Sequence, residues 1–379
     1  MGSEFLMMAK PVGPRCNLRC SYCYYLEKEA LFPEGSAPMD AELLERYVRQ
    51  RFAASPGPVH FEWHGGEPTL AGLDAFRTIV KLQRKHAPPG RKWTNGLQTN
   101  GIRLDRAWVD FLYENQFSVG LSLDGPATSH NAWRTRADGS GSHAQVMKSL
   151  ELLQSAGVFV NLLCVVHTGN VTDPEDVYDF FRGTGAQYLQ FLPYVPRPGK
   201  DDRAPGGTPA QVGEFLCRIF DRWLAADVGV LVVQTFDEAL RPLYGVPHSL
   251  CIHRPTCGEV VVLEHDGGVY ACDHFVDADH RLGNLKDTDL ATLAADPRLL
   301  AFGQLKRDGL APECRACAVL EFCHGGCPKD RDGRGLNRLC EAYRRFFTHA
   351  KPGLAALAAH MKAGRSLRSF RLPEQLRSV

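Results

Sequence analysis

The sequence lacks the features of a membrane, exported or nucleic-acid-binding protein. It contains no run of about 18 apolar residues, so no segment is long and apolar enough to span a bilayer. Its 44 lysines and arginines stand against 43 aspartates and glutamates, so no overall field favours a nucleic acid or an anionic membrane. No secretory signal opens the chain, and the first residues, MGSEF, are typical of an expression-vector tag. We therefore expect a cytoplasmic protein that binds neither nucleic acid nor membrane.

Thirteen cysteines are present, and three of them lie close together near the start of the chain. Cytosolic thiols stay reduced, so closely spaced cysteines here indicate metal or cluster ligation and not disulfides. Cys16, Cys20 and Cys23 have the spacing C-x3-C-x2-C, with no fourth cysteine nearby and no histidine before His60. A structural zinc site needs four ligands. Three thiolates suit a [4Fe–4S] cluster with one open iron, and a zinc knuckle that borrows a distant histidine is the alternative.

Strand-like and helix-like segments alternate over the first two-thirds of the chain. The strand-like segments are residues 5–12, 59–63, 92–100, 117–125, 158–166 and 187–195. The stretches between them carry apolar residues at three- and four-residue intervals, which is typical of helices. This alternation predicts a parallel α/β sheet wound as a partial barrel. A helix over 209–227 and a strand over 228–236 complete the prediction, and the Pro- and Gly-rich segment 193–209 is predicted to be a surface loop.

The composition changes near residue 250, and eight cysteines follow within ninety residues. Segment 259–273 predicts a β-hairpin around the turn HDGG. Eight thiols are enough for two metal or cluster sites with four ligands each. For these eight cysteines taken alone, a zinc ribbon is the alternative to iron–sulfur clusters. Cys164 and Cys217 lie in apolar segments, where they are expected to pack in the core. The last segment, 341–379, is expected to be helical and then basic.

The amino-terminal cysteines and two further motifs resemble the radical S-adenosylmethionine (SAM) superfamily. The motifs are GGEPTL after the second predicted strand and LSLDGPATSHNAWR at the fourth. The resemblance implies that Cys16, Cys20 and Cys23 hold a [4Fe–4S] cluster whose open iron binds SAM, from which a 5′-deoxyadenosyl radical forms. It also implies that the SAM contacts are Tyr22, Gly66, Glu67, Ser122, Arg134 and Val195.

The carboxy-terminal cysteines resemble the SPASM extension of radical SAM enzymes, which binds two auxiliary [4Fe–4S] clusters. The resemblance assigns Cys251, Cys257, Cys272 and Cys327 to the first auxiliary cluster, and Cys314, Cys317, Cys323 and Cys340 to the second. It implies three [4Fe–4S] clusters and SAM as cofactors. The expected fold is a partial (β/α)6 TIM-like barrel followed by a SPASM domain with a small β-hairpin and C-terminal helices. Its expected borders are a tag over 1–5, the barrel over 6–240, the SPASM domain over 241–349 and a helical tail over 350–379.

Longer stretches narrow the resemblance to the anaerobic sulfatase-maturating enzymes. They include KPVGPRCNLRCSYCYY, GGEPTLAGLDAF and GGVYACDHFV. The resemblance implies an oxidoreductase that converts a Cys or Ser of a sulfatase precursor to Cα-formylglycine by hydrogen abstraction from Cβ. Asp273, directly after Cys272, matches the proposed base of that family; the alternative is a solvated carboxylate in a turn. A monomer that takes electrons from a donor such as flavodoxin or ferredoxin is expected.

One position departs from the family pattern. The family has Gln before GGEP, at a position that faces the peptide substrate, and this chain has His64. We therefore expect His64 to bind substrate. The sequence WHGGEP is also common in SPASM enzymes that modify ribosomal peptides, so a peptide maturase that oxidises or cross-links a residue is the alternative enzyme. A zinc-stabilised binding module is the non-enzymatic alternative.

Overall fold

The computed structural model describes residues 5–32, 37–196, 206–373 and 375. Its strands are β1 (Leu6–Ala9), β2 (Val59–Trp63), β3 (Trp93–Thr99), β4 (Phe117–Ser122), β5 (Phe159–Val166), β6 (Tyr188–Pro193), β7 (Val232–Val233), β8 (Val260–Leu263), β9 (Gly268–Tyr270) and β10 (Arg281–Asn284). Its α-helices are α1 (Ala41–Ala53), α2 (Leu73–His86), α3 (Arg106–Glu114), α4 (Ala127–Trp133), α5 (His143–Ser155), α6 (Pro174–Gly183), α7 (Pro209–Ala226), α8 (Gln234–Tyr244), α9 (Leu290–Ala294), α10 (Pro297–Asp308), α11 (Pro312–Arg315), α12 (Leu320–Cys323) and α13 (Cys340–Lys362). Within these described ranges, no helix has the length and hydropathy needed to cross a membrane.

The chain divides into two compact units. The first comprises Met1–Ser122, Arg134–Val160 and Cys257–Gln304. The second comprises Leu123–Trp133, Asn161–Thr256 and Leu305–Val379.

The sheet of the first unit has the strand order β10-β9-β8-β1-β2-β3-β4. Strands β8, β1, β2, β3 and β4 are parallel neighbours, whereas β8, β9 and β10 are antiparallel. In β2, Phe61 and Trp63 are fully buried, and both rings lie edge-on to Tyr47 of α1. Because side chains alternate along a strand, the helices cover one face of β2.

The parallel arrangement brings the ends of several strands to one edge of this sheet. Lys10 directly follows β1, His64 follows β2, Asn100 follows β3 and Glu264 follows β8. The cysteine loop and the GGEP segment begin at the same edge, since they follow β1 and β2. The carboxyl ends of the strands therefore define where the candidate site is built.

The second unit contains the parallel strands β5, β6 and β7, with Leu162 opposite Leu189 and Tyr188 opposite Val232. Helices α7, α8 and α13 pack through aromatic side chains. The ring centroids of Phe220 and Phe236 lie 5.3 Å apart, and those of Phe236 and Phe346 lie 5.6 Å apart. Cys340 is the first residue of α13, so this aromatic core directly supports one of the later cysteines.

The α/β architecture with six parallel strands and the hairpin over 259–273 are confirmed, and the sheet is open. The strand predicted over 228–236 is wrong, because only Val232 and Val233 pair and helix α8 begins at Gln234. Phe236, Ala239 and Leu240 are buried from α8 at helical spacing, and this burial outweighs the strand propensity of the valines before it. Residues 197–205 of the predicted loop and residues 1–4 of the expected tag lie outside the described residues.

Candidate active site

The loop after β1 places the first three cysteines in a protected setting. The Cys16 thiol accepts hydrogen bonds from Leu18 N at 3.4 Å and from Asn100 Nδ2 at 3.6 Å. Cys23 N donates to Cys20 O at 3.0 Å, which closes a tight turn between these two residues. Burial is the main cause that raises the pKa of Cys16 to about 11, and the charges of Glu67 and Cys23 contribute to this rise. Binding an electropositive metal centre would relieve this penalty on the thiolate form.

Gly66 joins the segment after β2 to the cysteine loop. Its N–H donates to Gly13 O at 2.8 Å, and the N–H of Glu67 donates to Arg15 O at 2.9 Å. A Cβ atom at Gly66 would lie 2.2 Å from Arg15 O and 2.4 Å from Pro14 O. The glycine is therefore required for the close approach of the two loops.

Glu67 is fully buried, and both carboxylate oxygens bind inside the protein. Oε1 accepts from Thr69 N at 3.0 Å and from Thr99 Oγ1 at 2.8 Å, and Oε2 accepts from Asn100 N at 2.7 Å. Burial raises the pKa of this carboxyl, and the hydrogen bonds oppose the rise only in part. The side chain therefore ties the ends of β2 and β3 together.

Three further predicted SAM contacts, Tyr22, Arg134 and Ser122, are hydrogen-bonded within the first unit. Arg134 Nη1 donates to the hydroxyl of Tyr22 at 2.6 Å, and both residues are buried. Ser122 Oγ, at the end of β4, accepts from Gln98 Nε2 at 3.1 Å. Val195 lies in the second unit, just after β6, and is buried there.

Asp273 is buried and bonded to two partners that come from the other end of the chain. The Lys10 ammonium, itself fully buried, donates to Oδ1, and the Tyr24 hydroxyl donates to Oδ2. Burial raises the pKa of Asp273, but the charge of Lys10 outweighs it and holds that pKa well below its usual range. Asp273 is thus an ionised carboxylate with a fixed orientation, and it is not a solvated turn residue.

Tyr25 supports Lys10 from the other side. The Lys10 ammonium lies 3.3 Å from the centroid of the Tyr25 ring, a cation–π contact. The Tyr25 hydroxyl donates to Oε1 of the fully buried Glu264. The position of the lysine is therefore set on both sides of its ammonium group.

His64 has one defined tautomer. Its Nδ1 accepts the N–H of Gly65 at 2.8 Å. Burial lowers the pKa of His64, and the opposing effect of Asp273 does not restore it. The ring is neutral with its proton on Nε2, so it presents a hydrogen-bond donor.

The later cysteines form groups whose thiols influence one another. Burial is the main cause that raises the pKa of Cys323 to about 12, and Cys340, Cys314 and Cys317 contribute to this rise. All four belong to the second unit, as do Cys251 and Cys327.

Burial raises the pKa of Cys327 to about 12, and the nearby Cys251 contributes to this rise. Cys257 and Cys272, the other two thiols of the predicted first auxiliary set, belong to the first unit. Cys164 and Cys217 are buried in β5 and α7, as expected of core residues.

None of the thirteen cysteines, all of which lie in the described ranges, forms a disulfide. Within the described ranges, no three His, Cys, Asp or Glu side chains are spaced to hold a single metal ion. The pKa of Cys323 is nonetheless influenced by Cys340, Cys314 and Cys317, so these four thiols lie within electrostatic reach of one another.

Sequence reasoning did not single out Lys10 or Glu264. Both are charged residues that directly follow buried strands, β1 and β8, and these strands pair in parallel with Ala9 opposite Leu263. A charge at the carboxyl end of a buried strand is the signal that could have identified them.

Two family models match the chain. The Radical SAM superfamily model matches residues 11–181, and the SPASM model, described as an iron–sulfur cluster-binding domain, matches residues 255–318. Together with the cysteine loop and the open sheet, these matches define the class as radical SAM enzymes with a SPASM domain.

Relatives define the family more narrowly. The serine-type anaerobic sulfatase-maturating enzyme of Bacteroides thetaiotaomicron is 38% identical, over 91% of this chain and 89% of its own length. The cysteine-type enzyme of Clostridium perfringens is 34% identical, over 94% of this chain and 99% of its own length. The solved structure of native anSMEcpe with bound AdoMet and Cp18Cys peptide matches 94% of this chain and 99% of its own, with a TM-score of 0.86 and 34% identity.

The chain therefore belongs to the anaerobic sulfatase-maturating enzyme family. It is an enzyme of this type, with SAM, a [4Fe–4S] cluster and additional iron–sulfur clusters as its cofactors. Streptococcus suis SuiB is similar in fold alone, with a TM-score of 0.62 and 16% identity.

The cysteine grouping predicts the iron content. If all eleven assigned cysteines are ligands, anaerobically reconstituted protein should contain about twelve irons per chain, as three four-iron clusters. Replacing Cys16, Cys20 and Cys23 together by Ala should remove about a third of the iron and all cleavage of SAM. Iron and sulfide analysis with a SAM-cleavage assay checks this. Cleavage that persists in the triple variant would refute the assignment of these cysteines.

The contact at Gly66 predicts a local packing failure. Gly66→Ala should lower the free energy of unfolding by about 1–3 kcal/mol and reduce SAM binding, because the new methyl collides with the cysteine loop. The matched control is Gly183→Ala at the end of α6, where an added Cβ meets nothing within 4 Å. Denaturant unfolding and SAM titration compare the two variants. Equal behaviour of both would show that the loops can separate without consequence.

Proposed function

We propose that this enzyme oxidises a Cys or Ser residue of a sulfatase precursor to Cα-formylglycine. The similarity to serine-type and cysteine-type anaerobic sulfatase-maturating enzymes supports this proposal. The observation that carries it is the buried carboxylate of Asp273, held by Lys10 and Tyr24 beside Cys272. A fixed, ionised carboxylate at this edge of the sheet provides the proton acceptor that the oxidation needs.

When bound, SAM and the clusters supply the radical that removes the Cβ hydrogen and the acceptor for the remaining electron. Asp273 takes the proton of the substrate thiol or hydroxyl. Lys10 and Tyr24 hold this carboxylate in a fixed orientation, and loss of hydrogen from the adjoining carbon makes the substrate group more acidic, which eases transfer of its proton. Loss of a hydrogen atom, a proton and an electron leaves C=O from serine or C=S from cysteine, and water converts the thioaldehyde to the aldehyde.

The residues around the cysteine loop have separate roles in this proposal. Cys16, Cys20 and Cys23 hold the first cluster, and the predicted SAM contacts are Tyr22, Gly66, Glu67, Ser122, Arg134 and Val195. Both carboxylate oxygens of Glu67 bind within the protein, so its contact with SAM would come from its backbone carbonyl, which accepts from Leu70 N at 3.1 Å and keeps a second lone pair. Arg134, buried beside Tyr22, fits an anionic group such as the carboxylate of SAM.

The later cysteines, the domain borders and the partners complete the proposal. Cys251, Cys257, Cys272 and Cys327 form the first auxiliary set, and Cys314, Cys317, Cys323 and Cys340 form the second. The barrel covers 6–240, the SPASM domain 241–349 and the tail 350–379. The enzyme acts as a cytoplasmic monomer that receives electrons from a flavodoxin- or ferredoxin-type donor.

His64 would bind the peptide. Its fixed tautomer presents only an N–H donor, so the group that it recognises must be an acceptor, such as a peptide carbonyl. A glutamine at this position could also donate one such bond. The substitution therefore changes the shape of the contact and keeps its hydrogen-bond donor.

The test of the proposed function is mass spectrometry of candidate peptides after anaerobic incubation with SAM and a reductant. Sulfatase-derived peptides containing Cys or Ser should gain an aldehyde. His64 also favours a second candidate, a maturase of ribosomal peptides. An oxidised or cross-linked ribosomal peptide, with sulfatase peptides left unchanged, would establish that second function and overturn the first.

Asp273→Asn should separate radical formation from oxidation. The amide keeps the size of the side chain but cannot accept the proton, and loss of a general base costs about 10²–10⁴-fold in rate. The variant should still cleave SAM and yield little aldehyde. Asp277→Asn is the matched control, because that half-exposed carboxylate bonds only to His280 among the described contacts. Aldehyde formation by Asp273→Asn at the control's rate would show that Asp273 is not the base.

His64 variants test peptide binding. His64→Leu removes the donor and should raise the peptide KM by about 3–10-fold, the worth of one hydrogen bond. His64→Gln restores a donor and should recover part of the affinity, and both variants should retain peptide-independent SAM cleavage. Steady-state kinetics with a sulfatase peptide measure these effects. Loss of SAM binding in either variant would show that His64 faces the cofactor.

A further inference from the structure

Glu264 is a buried carboxylate to which the proposed reaction assigns no role. It directly follows β8, and its side chain is fully buried. Its N–H donates to Gly268 O at 2.8 Å, and its carbonyl accepts from Gly267 N at 3.0 Å, so the turn between β8 and β9 fixes its backbone. Its Oε1 accepts a hydrogen bond from the Tyr25 hydroxyl. Glu264 is therefore a rigidly placed hydrogen-bond acceptor for that tyrosine.

The second oxygen of this carboxylate has no hydrogen-bond partner among the described residues. It lies 3.7 Å from Nδ1 of the buried His265, too far for a hydrogen bond. A buried polar atom without a hydrogen bond destabilises the fold. An apolar pair in place of the Glu264 carboxylate and the Tyr25 hydroxyl would avoid this penalty. Fold stability alone therefore does not explain why a carboxylate is buried at this position.

The bond to Glu264 fixes the polar end of the Tyr25 side chain. The ring packs in a buried cluster with Val262, Tyr270 and Val276. Apolar contacts have no preferred direction, whereas a hydrogen bond is directional. The carboxylate therefore holds the ring in the orientation in which its face meets Lys10.

The Lys10 ammonium lies over that face, 3.3 Å from the centroid of the Tyr25 ring. The ammonium is fully buried, and in the described part of the chain its one hydrogen bond is to Asp273 Oδ1. An ammonium has three N–H groups, so a single hydrogen bond leaves it able to turn and shift. Attraction to the ring face restricts this movement. The orientation of the Tyr25 ring therefore determines where Lys10 presents its charge to Asp273.

These side chains all belong to the first unit, and they end at the proposed base. A base must lie within hydrogen-bond reach of the proton that it takes, and a misplacement of about 1 Å can cost about 10²-fold in rate. We propose that Glu264 is a positioning residue for Asp273. It acts through the Tyr25 ring and the Lys10 ammonium, which together hold the carboxylate where it accepts the substrate proton. The inference rests on the proposed role of Asp273 as that base.

The test is a double-mutant cycle in the reconstituted full chain, with Glu264→Leu, Tyr25→Phe and both changes together. Each variant is incubated anaerobically with SAM, a reductant and a sulfatase-derived peptide that contains Cys or Ser. The measurements are kcat for the aldehyde, the peptide KM and the number of 5′-deoxyadenosine molecules formed per aldehyde. Glu264→Gln keeps an oxygen acceptor for the hydroxyl. Tyr178→Phe is the matched control, because the Tyr178 hydroxyl donates to Asp227 Oδ2 at 2.7 Å in a buried pair of the second unit.

Glu264→Leu should lower kcat for the aldehyde by about 10²-fold and raise the ratio of 5′-deoxyadenosine to aldehyde, with little change in the peptide KM. Glu264→Gln should recover most of the rate, and Tyr178→Phe should keep the parent ratio. Adding Glu264→Leu to Tyr25→Phe should lower the rate little further, because both changes break the same contact.

A parent ratio in Glu264→Leu, or losses that multiply in the double variant, would overturn the proposal. If Glu264→Leu does not fold, a parent ratio in Tyr25→Phe would overturn it instead.

Failure of the proposed function gives a different result. A parent protein that forms no aldehyde in any sulfatase peptide would contradict the proposed reaction. Aldehyde formation by Asp273→Asn at the parent rate would contradict the assignment of the base. A parent that forms the aldehyde and depends on Asp273, together with Glu264 and Tyr25 variants that keep the parent ratio, would contradict only the positioning role of Glu264.

Discussion

The buried ion pair between Lys10 and Asp273 is the interaction on which the candidate site depends. It joins residues 263 positions apart, and both side chains are removed from water. Losing one partner of such a pair typically costs about 3–5 kcal/mol, because the other charge stays buried and unpaired. The pairing of β1 with β8 places Lys10 level with Glu264, while Tyr24 bonds to Asp273 and the Tyr25 ring contacts the Lys10 ammonium. The same arrangement brings Asp273 to the cysteine loop.

A second constraint is the close contact among the loops at the carboxyl ends of the strands. Gly66 leaves no space between the GGEP segment and the cysteine loop, and Glu67 binds the ends of β2 and β3 with its whole carboxylate. Arg134 reaches Tyr22 within the same unit. These contacts use backbone and buried polar groups, so the positions of Cys16, Cys20 and Cys23 are defined by the protein itself.

The sequence was sufficient for the features that depend on local patterns. Alternation of strands and helices predicted the parallel sheet, and cysteine spacing together with GGEP predicted the family. Features that depend on tertiary contacts or on local geometry could not be predicted. The bond between Lys10 and Asp273 joins residues 263 positions apart, and the tautomer of His64 follows from the position of the Gly65 N–H group. The first residues of helix α8 are predicted as a strand, because the valines before them favour a strand. Nothing in that local sequence indicates that α8 packs against α7 and α13.

The most direct measurement of the central claim uses a sulfatase-derived peptide deuterated at Cβ of its Cys or Ser. The peptide is incubated anaerobically with the reconstituted enzyme, SAM and a reductant, and both products are examined by mass spectrometry. Oxidation at Cβ predicts formylglycine in the peptide and deuterium in the 5′-deoxyadenosine. An unlabelled 5′-deoxyadenosine, formed while the peptide retains all of its deuterium, would contradict hydrogen abstraction from that carbon and with it the proposed reaction.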